Sequence, residues 1–388
     1  MGALNGIRVV DMTRVVAGPL ATQMLGDLGA DVIKIERRGG GDDVRHLGPP
    51  WLQDQDGNDS NQSTYFQTVN RNKRSVTIDY AKPEGAEAIL ALVAKSQVFV
   101  ENYRPGTLAR YGLGYEDLRA ANPAIVYCSI TGFGHTGPYS DRSGYDYLVQ
   151  AMGGVMALTG VADGNAGAGP MRVGIPLADV FAGMNAVITM LAALRHAEST
   201  GQGQHIDISL LDSQVGALLN PFSAWLNNGQ MIGRTGNEHP SASPYGPYPT
   251  SDGYILLATF NDREFVRVAE VIGRPEWAED ELFAKSKNRI ANRQLLTQRM
   301  CEMLEQKTTQ EWVAAFNAAK VSCGPINNMQ EVASDPQVLA RGMVVEIEHP
   351  IAGRMKVAGS PLRMSETPVS YRRPPPEAGQ HSREVLDE

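Results

Sequence analysis

A chain of 388 residues with 42% hydrophobic and 20% charged residues has the make-up of two or three folded domains, which excludes a disordered chain. Thirty-five lysines and arginines against 43 aspartates and glutamates leave a net charge of −8. That argues against nucleic acid, which needs a positive face to replace condensed counterions.

The first 130 residues repeat a β-α-β pattern. Ile7 to Asp11 reads as a short apolar strand, and Pro19 opens an amphipathic helix that closes at Gly29. Asp31 to Glu36 is the next strand; a helix separates the two, so they are expected to be parallel with a right-handed crossover. The pattern returns with strands at Ser75–Asp79, Gln97–Glu101 and Ile125–Ser129, and helices from Pro83 to Ala94 and from Tyr115 to Ala121. A glycine-rich connection, Gly132 to Pro138, leads to a helix near Tyr145–Met152. Asp179 then stands at the start of a long small-residue helix, about Val180 to His196, followed by a strand at His205–Ser209 and a helix to about Asn228. Residues 230–253 read as loop and 261–320 as mostly helical, with a capping box at Thr308–Glu311. Short strands return at Met343–Glu348 and Met355–Val357. The expected organisation is a large domain from residues 1–229, a smaller domain from 230–325, and a return segment, 326–388, that completes the large one.

Cys128, Cys301 and Cys323 form no CxxC pair, so neither a disulfide framework nor a zinc site is expected. No secretory leader is legible at the N-terminus, and the apolar run Ala186–Leu194 is too short to span a bilayer. A cytoplasmic location is expected. The turn after the first strand, RVVAGPL, has one glycine where a dinucleotide site needs G-x-G-x-x-G. Gly39–Gly41 run into Asp42 and Asp43, whose charges repel phosphate, so they read as a flexible turn. Walker A, H-E-x-x-H and G-x-S-x-G motifs are absent, and the seven histidines have no metal-ligand spacing.

More informative are cations beside predicted strand ends: Arg37 and Arg38, Lys73 and Arg74, and Arg104 and Arg110, with Asn102 among them. Ligands of open parallel sheets bind outside the carboxyl ends of the strands, and these groups suit phosphates. A solvated charged rim explains them equally well. Asp179 is ambiguous too. It reads as a helix N-cap, or as a nucleophilic carboxylate whose ionised form the helix N-terminus favours. Ala182, Gly183 and Ala186 would let another segment approach that helix closely.

The chain resembles the class III coenzyme A transferases, the family of formyl-CoA transferase and carnitine CoA-transferase. The resemblance rests on RVVDMTRVVAGPLATQMLGDLGADVIKIERRGGGD, NRNKRSVTIDY, VENYRPGTLARYGLGYEDL, SITGFGHTGPYSDRSGYDYLVQAMGG, the Asp179 segment, TGQGQHIDISLLD and CGPINNMQEVASDPQVLARGM, in that order along nearly the whole length. It implies that Asp179 is the catalytic nucleophile and that Val15, Ala17, Arg37, Lys73, Asn102, Tyr103 and Arg110 contact CoA. The family also holds α-methylacyl-CoA racemases, which need a histidine in a G-H-D sequence. Here the stretch is Gly144-Tyr145-Asp146, and a phenol with a pKa of about 10 is a poor proton shuttle at neutral pH. Formyl-CoA transferase carries a run of glycines over its site, whereas this chain has Glu238-His239-Pro240-Ser241, which counts against formate and oxalate as the substrate pair.

The implied fold is α/β: a large Rossmann-like domain with a parallel sheet plus a smaller α/β domain, two chains interlocking as a homodimer. The implied reaction moves CoA from an acyl-CoA, with succinyl-CoA the expected donor, to a free carboxylic acid through aspartyl anhydride and aspartyl-CoA thioester intermediates. It needs no metal and no permanently bound cofactor; CoA enters as substrate. Arg14, Tyr145 and His239 are the expected contacts of the acceptor, a short dicarboxylate or sulfinic analogue. The alternatives are a racemase-like enzyme and a non-enzymatic CoA-binding module. Nucleic-acid and membrane partners are not expected.

Overall fold

The computed structural model describes residues 2–388. Its main sheet has six parallel strands: β1 (Arg8–Asp11), β2 (Asp31–Glu36), β3 (Lys73–Thr77), β4 (Val98–Glu101), β5 (Val126–Thr131) and β6 (His205–Ser209). Their order across the sheet is 3-2-1-4-5-6, that of doubly wound nucleotide-binding folds. The chain moves outward from β1 to β3, then returns to lay β4 against the other side of β1. The order therefore reverses between β1 and β4, and their carboxyl ends diverge into a crevice.

Strands covered on both faces need apolar residues of both parities. Val9, Val32, Val98 and Val126 align in register and face α1 (Ala17–Asp27) and the long helix Leu177–Thr200. Val10, Ile33, Phe99 and Tyr127 face the opposite way, against α2 (Pro83–Ala94) and α3 (Tyr115–Ala121). With α4 (Asp146–Met152), Leu177–Thr200 becomes α5. Gly183 lets α5 press on α1, since a Cβ there would lie 2.8 Å from the Ala17 carbonyl oxygen.

The strand expected at Ser75–Asp79 begins earlier, at Lys73. Lys73 and Arg74 look like loop residues in sequence, but both are buried and paired, Lys73 with Asp11 and Arg74 with Asp31. Two antiparallel hairpins, Trp51–Gln53 with Asp59–Ser63 and Val344–His349 with Gly353–Ala358, add to the same unit. The C-terminal segment covers the β3 edge: the Asn72 N–H donates to the Arg373 carbonyl at 3.0 Å, and the His381 N–H donates to the Ser75 carbonyl at 2.9 Å. A covered edge no longer templates strand pairing with other chains.

The chain divides into two compact units. The first comprises the residues up to Met156, Arg172–Met231 and Pro336–Glu388; the second comprises Ala157–Met171 and Ile232–Asp335. Residues 157–171, read in sequence as part of the large domain, and 326–335, read as return segment, group with the second unit. That unit carries a three-stranded antiparallel sheet, Tyr245–Pro249, Tyr254–Ala258 and Cys323–Pro325, with the Tyr254 strand central. Helices pack on it around Phe265, Phe283, Leu296, Trp312 and Phe316. The Thr308–Glu311 capping box is present, with the Thr308 N–H donating to the Glu311 carboxylate at 2.8 Å.

α5 is long and apolar enough by length and composition to cross a membrane, more than the short run Ala186–Leu194 implied. Its inner face, from Ala178 to Ala197, is core of the first unit, and Met184 and Ile188 stand exposed on its outer side.

Candidate active site

A cavity of about 330 Å³ opens at the crevice between β1 and β4. Its walls come from the turn after β1 (Arg14, Val15, Val16, Ala17), the turn after β4 (Asn102 to Pro105), the end of β5, the stretch Arg142–Tyr145, and Asp179. A smaller pocket of about 100 Å³ adjoins the end of β2, sharing Arg14 and Tyr103 and adding Arg37 and Tyr80. The fold thus brings Arg14, Val15, Ala17, Asn102, Tyr103, Tyr145 and Asp179 to one cavity, with Arg37 next to it.

The turn after β1 is tightly held. Val15 has φ +70°, a left-handed conformation that is strained for a β-branched residue. Asn102 clamps the residue before it: its side-chain oxygen accepts from the Arg14 N–H at 2.9 Å, and its amide donates to the Arg14 carbonyl at 2.7 Å. Asp42 accepts from the Val15 N–H at 3.1 Å. Asn102 therefore ties the two sides of the crevice together, and both ends of its amide are engaged.

Beneath this turn lies a buried ionic network that the sequence reading missed. Asp11 accepts from Thr13, from the Thr22 hydroxyl at 2.6 Å and from Lys73 at 3.0 Å. Lys34 donates to the Thr13 carbonyl at 2.8 Å and to Asp42 at 2.9 Å. Burial pushes the Asp11 carboxyl up, but Lys73, Lys34 and the two hydroxyls outweigh it and hold it at about 2. A lysine in the middle of the apolar strand DVIKIE was the available signal, because a buried ammonium must be paired. Asp42 and Asp43 are likewise structural. Asp42 pairs with Lys34, and Asp43 joins Arg14 at 3.1 Å and Arg37 at 2.6 Å.

Lys73 does not stand at the rim where its sequence position put it. Its side chain is fully buried, and its ammonium is engaged by Asp11, the Pro19 carbonyl and Asn70. Burial, with the nearby Lys34 charge, lowers it to about 8 against the pull of Asp11. Arg110 lies exposed on the Leu108–Tyr111 turn and lines neither pocket. His239 belongs to the second unit, where its ring packs by Tyr245 and Phe260 and its Nδ1 accepts from the Ser241 N–H at 3.1 Å. Arg104 and Arg142 line the large cavity as well; of these, Arg142 drew no notice in the sequence.

Asp179 is the third residue of α5, not its cap. The cap position is Pro176, whose side chain carries no hydrogen-bond acceptor. Asp146, the first residue of α4, supplies the cap from outside: its Oδ1 accepts from the Ala178 N–H at 2.7 Å and from the Asp179 N–H at 3.3 Å. The capping reading of Asp179 therefore fails. Asp179 lines the cavity, and burial first and the Asp146 charge second push its carboxyl up to about 7. Tyr145, in the position of the racemase histidine, is 69% exposed.

A carboxyl raised in this way, beside a crevice lined with arginines, has the properties of a nucleophile in a site for an anionic ligand. Comparison with known proteins agrees. The chain is 44% identical to succinate–glutarate CoA-transferase of Agrobacterium fabrum over 385 residues, covering 99% of this chain and 95% of that one. It is 37% identical to succinyl-CoA:mesaconate CoA-transferase of Haloarcula hispanica, covering 100% and 96%. The crystal structure of a CaiB/BaiF family protein from Brucella suis superposes with a TM-score of 0.90 at 40% identity, covering 100% and 99%. The model of CoA-transferase family III matches residues 4–382, and with that match the chain belongs to this family, an acyl-CoA:carboxylate CoA-transferase.

Proposed function

We propose that the enzyme carries CoA from succinyl-CoA to a short dicarboxylate, with glutarate the first acceptor to test, and that Asp179 is its nucleophile. One observation supports the second part: Asp179 lines the cavity while Asp146 caps the start of its helix. The dicarboxylate is supported by the names of the two relatives.

An Asp179 carboxylate oxygen attacks the thioester carbonyl, the carbon–sulfur bond breaks, and CoA leaves as the thiolate. The mixed anhydride is then attacked at the aspartyl carbonyl by that thiolate. The donor acid departs as its carboxylate and an aspartyl-CoA thioester remains. The acceptor carboxylate reverses the two steps. The acyl group stays activated throughout, as thioester or anhydride, and the covalent intermediates divide one hard exchange into easier ones. Negative charge grows on the carbonyl oxygen at each attack. α1 begins at the cavity with Ala17 and has no side-chain cap, so the Ala17 N–H is the candidate donor to that charge.

Val15, Ala17, Arg37, Asn102 and Tyr103 are assigned to CoA, and Arg14 and Tyr145 to the acceptor. Lys73 is assigned to CoA only indirectly, through the Asp11 network under the β1 turn. A racemase-like reading lacks a second acid–base group, since Tyr145 replaces the histidine. We read the chain as a cytoplasmic homodimer; Met184, Ile188, Leu219, Trp225, Leu226 and Met231 of the first unit are exposed, the residue type that a partner covers.

The test is to mix enzyme with succinyl-CoA, trap with hydroxylamine and map the modified peptide by mass spectrometry. A hydroxamate on Asp179, absent in a folded Asp179→Ala protein that has lost turnover, is expected. Normal turnover by that variant sinks the covalent mechanism. Equal kcat/KM for glutarate and valerate sinks the dicarboxylate assignment.

A further inference from the structure

We propose that Asp146 is a positioning residue of this reaction: its carboxylate replaces the missing cap of α5, holds the backbone of the nucleophile, and sets the charge against which that nucleophile ionises. The proposal rests on the reading of Asp179 as nucleophile.

The geometry is specific. The approach to α5, Ile175-Pro176-Leu177-Ala178, carries no Ser, Thr, Asp or Asn at the cap, so the first N–H groups of a 24-residue helix need an acceptor from elsewhere. Asp146 Oδ1 takes two of them, on Ala178 and on Asp179 itself. Asp146 Oδ2 accepts from Gln150 Nε2 at 2.7 Å. Gln150, one turn further along α4 and fully buried, donates also to the Ile175 carbonyl at 3.2 Å, and its Oε1 accepts from the Val173 N–H at 2.9 Å. Two side chains of α4 thus hold the backbone at Val173, Ile175, Ala178 and Asp179. Three donors meet the Asp146 carboxylate, and none of them is a cation, so its charge stays unneutralised beside Asp179.

The other groups facing Asp179 do not cancel that charge. Tyr65, on the short helix Thr64–Thr68, is raised by burial and then by the charges of Asp179 and Asp146. Around the cavity, Arg14 is paired with Asp43, and Arg104 and Arg142 line the same space. Besides burial, the charge of Asp146 raises Asp179. A more basic carboxylate is a stronger nucleophile, but it is protonated sooner as pH falls. Asp146 therefore trades activity in acid for reactivity above neutrality.

The experiment compares Asp146→Asn with Asp146→Ala by kcat against pH, with succinyl-CoA as donor. Asn keeps the Oδ1 acceptor and deletes the charge, and it also loses the bond that Oδ2 accepts from Gln150, because its NH2 only donates. It is expected to move the acid limb to lower pH and keep plateau kcat within about tenfold, because the nucleophile stays in place. Ala deletes both and is expected to lose about 10²-fold in kcat, the cost of a displaced reacting group, with KM for succinyl-CoA nearly unchanged. Wild-type kcat and an unmoved acid limb in both variants would overturn the proposal. A measurement on the unaltered enzyme guards against a variant that fails to fold: single-turnover labelling of Asp179 across pH. Half-maximal labelling at about 7 supports the proposal when Asp146→Asn lowers that midpoint, since burial raises the carboxyl as well, and half-maximal labelling of the unaltered enzyme in the ordinary carboxylate range, about 4, refutes it. Labelling that maps to Asp179 while the Asp146 variants behave as wild type defeats the proposal and leaves the nucleophile standing. Labelling that never maps to Asp179 defeats the nucleophile reading first.

Discussion

Replacing Asp179 by Asn should stabilise the protein, and more so at alkaline than at acid pH. The folded carboxyl sits at about 7 against 3.8 for an ordinary aspartate. A carboxyl raised on folding contributes stability that is fully present below its unfolded pKa and is lost as pH rises through its folded pKa. The wild type is therefore unburdened at about pH 4 and carries the whole cost above about pH 7. At about 1.4 kcal/mol per unit the shift sets an upper bound near 4 kcal/mol. The carboxyl is partly open to the cavity, and screening there reduces the figure to about 2 kcal/mol. Asparagine fills the same position without a charge, so the whole difference belongs to ionisation. For a chain of 388 residues the gain corresponds to about 2–3 °C in Tm. The assay is thermal unfolding of both proteins at several pH values between about 4 and 8, reading the difference in Tm rather than either value alone. Other titrating groups cancel in that difference. A gap that is flat with pH, or that shrinks as pH rises, would show that Asp179 is ionised in the fold at no cost.

Lys73→Met separates two roles for that lysine. Breaking its buried pair with Asp11 should cost about 3–5 kcal/mol in urea unfolding, whereas a direct CoA contact would raise the KM for acyl-CoA with stability unchanged. Asn102→Ala removes two hydrogen bonds to the Arg14 backbone, together about 1–3 kcal/mol. The β1 turn then loosens, the KM for acyl-CoA rises, and an unchanged KM would show that the clamp does not shape the binding site.

The parallel sheet was legible because its strands are buried on both faces and read as apolar runs broken by helical spacing. Asp31–Glu36, Pro83–Ala94 and His205–Ser209 have the bounds read from sequence. The reading failed where a charge was buried. Lys73 looked like a rim cation because its partner, Asp11, is 62 residues away, and no local pattern announces such a pair. Asp146 was noticed only for the tyrosine before it, since a cap supplied by another helix leaves no signature in the helix it caps. One hint was in view: the start of α5 has a proline where a capping side chain belongs. The resemblance pointed to Asp179, but only the geometry decides between cap and free carboxyl.

Gly132 and Gly144 cross in the cavity wall, where a Cβ on Gly132 would lie 2.4 Å from the Gly144 Cα and one on Gly144 would lie 2.5 Å from the Gly132 Cα. Neither position can acquire a side chain without forcing the two backbones apart. Evolution therefore has no freedom to resize the pocket at this crossing. A family that accepts different acids must diversify around it instead, at side chains such as Arg142, Ser143 and Tyr145 that flank the fixed crossing. Changes of acceptor should accumulate at those positions while the crossing stays bare.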